Sequence, residues 1–405
     1  MTATTFKINK ENGIRTLIVG AYCATSIAFL LTVPFLAFAF TGVVLINSKS
    51  FPMRIRLFLA IVMVIALSMM TGARPLLAED SNDIDGYYYV YQMLADGDLS
   101  YLTHFGGGIE TGTGGLEVGL PLLLYFLSLF LPPLSVNGLM FCLAFASSFL
   151  LLIWIEKTFY AGHNIRRPAL IGASILLLNL YFSTQLTRQF FSLIILLYAF
   201  SARGWLRQWI YVAFAAAFHL TAIPLYILYR LLRTGLVGWG VVIVLMFLFR
   251  FFFLQIAGAL DVLPPIIIEK LSYYIGNVEG YTSADIASLH MIMLLSSISL
   301  MVLITARIKP APEAKTWLAV PWIAGVIHLI LLPIPLASLR ATLMIHSIVP
   351  GFLAYKMFDG GGPKARTLLV VVLNLLLVYK ILGYMFSENS GNLFSTMHML
   401  TNFIL

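Results

Sequence analysis

The stretch MRIRLFLAIVMVIALSMMTGARPLLAEDSNDIDGYYYVYQML runs from Met53 to Leu94. It opens on Arg54 and Arg56 and continues as an apolar run. Arg74 follows, then four carboxylates, Glu79, Asp80, Asp83 and Asp85, then a tyrosine run, with Asp96 just beyond. About 20 apolar residues in an α-helix cross the ~30 Å hydrocarbon core of a bilayer. Short cytoplasmic loops collect Lys and Arg. The spacing therefore predicts a transmembrane helix over 57–77, with Arg54 and Arg56 in the cytoplasm. A lone arginine and an acid cluster are left together at the opposite surface.

The same grammar repeats along the chain. Of its 405 residues, 60% are hydrophobic and 10% charged, and the mean hydropathy is +0.94. A soluble domain of this length could not hide so much apolar surface. Alternating segments of about 10 residues, the mark of a membrane barrel, are absent. The sequence reads as an all-α, polytopic integral membrane protein with about 11–13 transmembrane or re-entrant helices, one transmembrane domain over 1–405. The polar start precedes an apolar run of about 30 residues, too long for a signal-peptide core, so an uncleaved anchor is expected. Cys23 and Cys142 lie inside apolar segments and read as packed thiols, without a disulfide or metal framework. The formal charge of +8 is spread between hydrophobic runs, so topology accounts for it and nucleic acid is not implied.

Six short segments collect the bases: Lys49, Arg54 and Arg56; Lys157, Arg166 and Arg167; Arg203 and Arg207; Arg230 and Arg233; Arg307, Lys309 and Lys315; Lys356, Lys364 and Arg366. All six are placed in the cytoplasm. The other face carries a loop over 74–116, with eight acids from Glu79 to Glu117 and no base between Arg74 and Lys157, and a second over 259–289. Expected spans are 16–47, 57–77, 137–156, 168–186, 188–202, 236–258, 289–306, 317–334, 338–356 and 367–386. The first is long for one helix and short for two. Segment 117–134 reads as interfacial or re-entrant. Segment 205–233 is cationic at both ends, which predicts two short helices meeting near His219 and Pro224. Broken backbone at membrane depth needs protein or a wet cavity beside it, so a cavity is expected there.

Few bases remain. Arg74, Arg188 and Arg340 each fall at the outer level, from distant positions, while Arg250 and Lys380 are embedded in apolar helices. A charge inside a bilayer costs at least ~2.5–3.5 kcal/mol, so it faces a cavity or a partner. Snorkelling or pairing with an outer carboxylate is one reading. An anion site is the other, because guanidinium forks two donors onto phosphate oxygens and suits a diphosphate.

Three local patterns carry a resemblance. Arg74 is followed by DIDGYYYVY. GLEVGLPLLLYFLSLF contains Glu117. TRQFFSLIILLYAF, with Arg188 and Gln189, is followed about 30 residues later by FHLTAIPLYIL, with His219. In order and spacing they resemble the EpsG-like branch of the Wzy-type polysaccharide polymerases: an Arg … Asp-x-x-Tyr loop, a Gly-x-Glu-x-Gly-Phe segment and an Arg-Gln-x-x-Ala … His-x-Ser/Thr signature. Leu120 stands where an aromatic is more usual, and Phe191 and Ser192 stand around the usual small residue. The similarity covers residues 57–233 best.

The resemblance implies a multi-helix, GT-C-like glycosyltransferase of the bacterial inner membrane, its active site facing the periplasm. It would join undecaprenyl-diphosphate-linked oligosaccharides, with a chain-length regulator and a flippase as further partners beside the membrane lipids. Arg74, Arg188 and Arg340, with Arg250 and Lys380 in reserve, would hold the leaving diphosphate. The base that takes the acceptor proton would be His219, Asp85 or Glu117, and His219 is preferred because imidazole titrates near neutral pH. A helix-packing role for His219, and ion-pair roles for Asp85 and Glu117, stay open beside it. Tyr88 and Gln189 are candidate sugar contacts, although the run Tyr87 to Tyr91 also fits a belt of interfacial aromatics. Asp83 and Asp85 have a spacing that permits two metal oxygens, yet a diphosphate flanked by arginines requires no cation. No metal or other cofactor is expected. His104–Gly115 reads as a mobile flap over the sugar. An O-antigen ligase or another lipid-linked-sugar transferase is the alternative, and a polysaccharide or lipid flippase is the alternative from a different class. Flippases and transporters carry polar groups near the midplane and often repeated halves, whereas here polar groups crowd one surface.

Overall fold

Proline sets the first break. Pro34 has no amide hydrogen and a fixed φ, so it opens a helix more readily than it continues one. In the computed structural model the apolar run 16–47 accordingly divides into α1 (Thr2–Thr32) and α2 (Pro34–Asn47), with Val33 extended between them. The structure describes residues 2–74, 83–100, 117–160, 168–232, 234–257, 283–306, 312–334, 337–359 and 362–385. Glu79 and Asp80, the His104–Gly115 stretch, Arg166 and Arg167, Arg307 and Lys309, and nearly all of the second outer loop lie outside them.

The remaining helices are α3 (Met53–Gly72), α4 (Asp83–Ala95), α5 (Gly119–Phe130), α6 (Val136–Ile155), α7 (Ala169–Leu176), α8 (Tyr181–Gln185), α9 (Thr187–Ser201), α10 (Trp205–Phe218), α11 (Ala222–Leu232), α12 (Leu236–Ala257), α13 (Ser283–Ala306), α14 (Pro312–Leu331), α15 (Ala337–Leu343), α16 (Pro350–Asp359) and α17 (Gly362–Met385). No strand occurs among the described residues. The protein is an all-helical, polytopic membrane protein. Among the described residues, Met53–Gly72, Val136–Tyr160 and Ala365–Leu382 are each long and apolar enough to cross a bilayer. Several further apolar helices are shorter. Segment 117–134 supplies only α5, 12 residues long, about 18 Å at the helical rise. It is too short to cross alone. The expected span 168–186 is interrupted after Leu176, and the span 338–356 bends by 59° between Ile348 and Pro350.

The chain forms two compact units. The first comprises Met1–Leu176, Leu180–Arg188 and Val370–Leu405; the second comprises Leu177–Asn179 and Gln189–Leu369. At the heart of the first, α3 and α6 run antiparallel, fastened at both ends. At one end Arg56 grips Glu156 through Nε and Nη2 at 2.6 and 2.7 Å. At the other, the Asn137 amide donates to the carbonyls of Gly72 and Arg74, at 2.5 and 3.4 Å. The Gly72 carbonyl belongs to the last turn of α3, whose final C=O groups have no partner within the helix, and the Arg74 carbonyl lies just beyond it. Against this pair α7 approaches α2 so closely that a Cβ on Gly172 would meet the Leu45 and Ile46 side chains at 3.1 Å. Two-thirds of α3 is buried, whereas only 22% of Ala365–Leu382 in α17 is, so α17 leaves most of its surface uncovered by the described residues.

Lys380 of α17 donates to the Leu176 carbonyl at 2.6 Å and sits over the Phe38 ring. A lysine thus caps the broken end of α7, where orphan carbonyls and the negative end of the helix dipole favour a cation.

In the second unit, breaks satisfy each other. The Asn179 amide donates to the Ser347 carbonyl at 2.9 Å, inside the π-turn that follows α15. His328 contacts Thr342, and His346 contacts Ser347 and the Leu339 carbonyl; both histidines are fully buried. They pack the bend. As the cationic ends of 205–233 predict, α10 and α11 form an antiparallel hairpin whose tip is His219–Thr221.

Candidate functional site

In the first unit, charge gathers where α3, α4, α8 and the start of α9 meet. The helical register of α4 decides which of its residues take part. Ile84, Tyr87, Val90, Tyr91 and Leu94 form its buried face, at the three- and four-residue intervals of one helix side. Tyr87 therefore points inward, and Asp83, one turn earlier, shares its side. The Tyr87 hydroxyl is 3.5 Å from Asp83 Oδ2. Asp85 is two residues further on and exposed. Positions i and i+2 do not face each other on a helix, so Asp83 and Asp85 do not converge on one cation. Deeper along the same face, Tyr91 donates to the Pro132 carbonyl, and burial pushes its phenol above its ordinary range, keeping it a donor.

Arg188 stands in the first turn of α9. Its Nη1 donates to Glu117 Oε2 at 2.7 Å, with side-chain exposures of 20% and 7%. Tyr87 is a second hydrogen-bond partner, and Asp83 adds its charge nearby. The cluster is thus Asp83–Tyr87–Arg188–Glu117, contributed by α4, α9 and the residue that leads into α5. Burial makes each hydrogen bond to a charged group count for more than it would in water.

Arg74 lies just beyond α3. Its guanidinium rests on the Tyr181 ring at 4.4 Å, and Nη2 is 3.4 Å from Thr184 Oγ1. Asn137 holds its carbonyl. Four residues separate Thr184 from Arg188, so chain length alone keeps their Cα atoms within about 14 Å. Arg74 and Arg188 thus both belong to the α8–α9 corner of this unit.

The second unit contains another polar group around the first turns of α9. Gln189 is 3% exposed, and its Nε2 donates to the Arg340 carbonyl at 2.9 Å. Its Oε1 is buried without a hydrogen-bond partner. One turn further along, Ser192 donates to the His219 carbonyl at 3.3 Å, and Phe191 stacks on Phe218 at 5.5 Å. His219 caps the end of α10, and its carbonyl accepts from the Ala222 amide at 3.1 Å as well as from Ser192. His219 and Arg340 are both half-buried. Gln189 and Ser192 therefore bring the hairpin tip and the start of α15 to one face of α9.

The residues expected from sequence thus separate into groups. Arg74, Arg188 and Glu117 share the first unit's cluster. Gln189, His219 and Arg340 share the face of α9 in the second. Tyr88 stacks on Tyr91, Arg250 lies in α12 between the exposed Phe249 and Phe251, and Lys380 caps α7. Sequence reasoning missed Asp83 and Tyr87 as members of the cluster. The signal was available: once DIDGYYYVYQML is read as a helix, the buried spacing selects Asp83 and Tyr87 over Asp85.

The model of the EpsG family matches residues 57–400 of this chain. No curated protein and no solved structure matches it.

Proposed function

Because this chain belongs to the EpsG family, we propose that it polymerises undecaprenyl-diphosphate-linked oligosaccharide repeat units at the periplasmic face of the bacterial inner membrane. Family membership and the apolar helices carry the coarser statement, a membrane-embedded polysaccharide polymerase of glycosyltransferase type. The observation that supports the finer one is the Arg188–Glu117–Tyr87–Asp83 cluster, with Arg74 in the same unit.

The reaction needs two services. A hydroxyl on the terminal sugar of an acceptor unit attacks the anomeric carbon of the donor chain. The new C–O bond forms as the bond to the diphosphate breaks, and undecaprenyl diphosphate departs with the electron pair. Negative charge grows on the departing group, and fixed cations in a partly dry site stabilise it in the transition state. Arg188 and Arg74 take this role. Glu117 and Tyr87 hold the Arg188 guanidinium in place before the lipid arrives, so little reorganisation is needed at the moment of reaction. The acceptor proton passes to His219, the proposed base. Gln189 and Tyr88 remain the proposed sugar contacts.

The test is direct. Purified protein is incubated with one defined undecaprenyl-diphosphate repeat unit, and products are resolved as a ladder while released undecaprenyl diphosphate is measured. Ladder and released lipid should rise together. Transfer of the repeat unit to a different acceptor without lengthening, or movement of the lipid across vesicles without any ladder, would overturn the proposal.

A further inference from the structure

The foot of the α10–α11 hairpin lies at the end opposite His219, and the polymerase reading makes no use of it. A cavity of about 260 Å³ opens there, lined by Trp205, Gln208, Trp209, Tyr226, Ile227, Arg230 and Leu231. Trp205 and Trp209 are one turn apart on α10, and Ile227 and Leu231 one turn apart on α11, so two side-chain rows four residues apart form its walls. At its base, Gln208 is nearly fully buried and fully engaged. Its Nε2 donates to the Ala202 carbonyl, while its Oε1 accepts from the Tyr226 hydroxyl at 2.6 Å and from Arg230 Nη1 at 3.0 Å. One bond therefore holds the exposed Arg230 guanidinium at the rim, with one of its five donors engaged there.

Three further facts select the occupant. Trp205 is 72% exposed and Trp209 43% exposed, among the exposed Leu206 and Ile210. Tryptophan, apolar in body and with one N–H, settles at the headgroup level of a bilayer. Arg203, Arg207 and Arg230 are all exposed at this same end. No Asp or Glu occurs between Glu156 and Asp261, so no acid in this part of the sequence offsets those charges. An apolar trough beside fixed guanidinium donors matches a lipid whose headgroup carries a net negative phosphodiester, with an acyl chain in the trough.

We propose that the foot of the α10–α11 hairpin is a binding site for an anionic phospholipid, its phosphate on Arg230 and its chain between Trp209 and Ile227. Basic pockets between membrane helices select such headgroups, each arginine contributing about a fivefold preference. The site stands independently of the reaction catalysed.

The probe is phosphatidylglycerol against phosphatidylcholine of equal chain length, offered to the purified full-length protein in mixed micelles and read by native mass spectrometry. The wild type should retain phosphatidylglycerol at least about fivefold over phosphatidylcholine. Arg230→Gln should erase about fivefold of that preference. Trp205→Ala, at an exposed position that leaves the fold intact, should reduce retention of both lipids while the preference persists. Equal retention of the two lipids by the wild type would overturn the proposal. So would an unchanged preference in Arg230→Gln, or a wild-type dimer that Trp205→Ala converts to monomer, since a second copy would then fill the trough.

Discussion

Two arginine–glutamate pairs occur among the described residues of the first unit, and they are built for different ends. Arg56 and Glu156 join two long helices, α3 and α6. Both carboxylate oxygens are engaged, the exposures are 4% and 9%, and Tyr160 closes the guanidinium face at 3.8 Å. The guanidinium is held along its Nε–Nη2 edge and covered on one face, and both partners are buried. Arg188 and Glu117 join the starts of two short segments, Nη1 to one carboxylate oxygen, with Arg188 still 20% exposed and the Tyr87 hydroxyl beside it. A closed pair fixes a helix register. A pair with an open edge holds a cation ready for a third party.

That contrast predicts its own largest effects. Arg188→Ala should lower polymer formation per folded molecule about 10³-fold, the loss expected when a fixed donor to a developing anion is removed, although it also takes this partner from the buried Glu117. Arg188→Lys should not restore it, because the planar fork is lost. Arg56→Ala should do the reverse. It leaves Glu156 buried and unpaired, which costs about 3–5 kcal/mol, and should reduce the monodisperse fraction on size-exclusion chromatography with activity per folded molecule preserved. The double change Arg56→Met with Glu156→Leu should recover the fold. If Arg56→Ala alone abolishes turnover in fully folded protein, the division between the two pairs fails.

Next in size is His219→Gln, with an expected loss of about 10²-fold, the lower end for removing a general base. Ser192 bonds to the His219 carbonyl rather than to its ring, so the backbone at the hairpin tip keeps its partner in this variant. A variant of wild-type rate would return His219 to a packing role. Tyr87→Phe follows, at about tenfold. It removes the hydroxyl that touches both Arg188 and Asp83 without opening a cavity, and the loss should appear in kcat more than in KM, since Tyr87 orients Arg188 rather than binding the lipid.

Much of this was legible in the sequence, for physical reasons that also mark where legibility stopped. Hydropathy and the placement of bases gave the α3 and α6 spans and the α10–α11 hairpin, because burial in lipid and positive loops act on whole segments. The break inside 168–186 was hidden. Leu177 and Leu178 are as apolar as their neighbours, and what permits the break is the Lys380 ammonium on the Leu176 carbonyl and the Ser347 carbonyl on the Asn179 amide, partners more than 160 residues away. The same cause makes Lys380 look like a spare cation when read along the chain. Glu117 was recognisable as important, but as base or partner it is ambiguous until Arg188, 71 residues on, is seen beside it. Asp83 and Asp85 differ only by helix face, which a loop reading of 74–116 cannot distinguish.

The smallest expected effects separate the carboxylates. If Glu117 orients Arg188, then Glu117→Gln keeps an oxygen acceptor and the shape, and activity should stay within about tenfold of wild type. Were it the base, loss of its ionisable group would cost 10²-fold or more. Asp85→Asn, on the exposed side of α4, should change the rate less than about twofold, and Asp83→Asn should fall between the two by loosening Tyr87. The order matters more than any single value. Arg188 is reached by Glu117 directly and by Asp83 through Tyr87, whereas Asp85 faces away, so damage should decline along that path. Rates measured on one purified series, normalised to folded protein, place all three on one scale. An Asp85 variant more impaired than the Glu117 variant would move the chemistry to the outer face of α4 and leave Arg188–Glu117 as a second structural clamp, no different in kind from Arg56–Glu156.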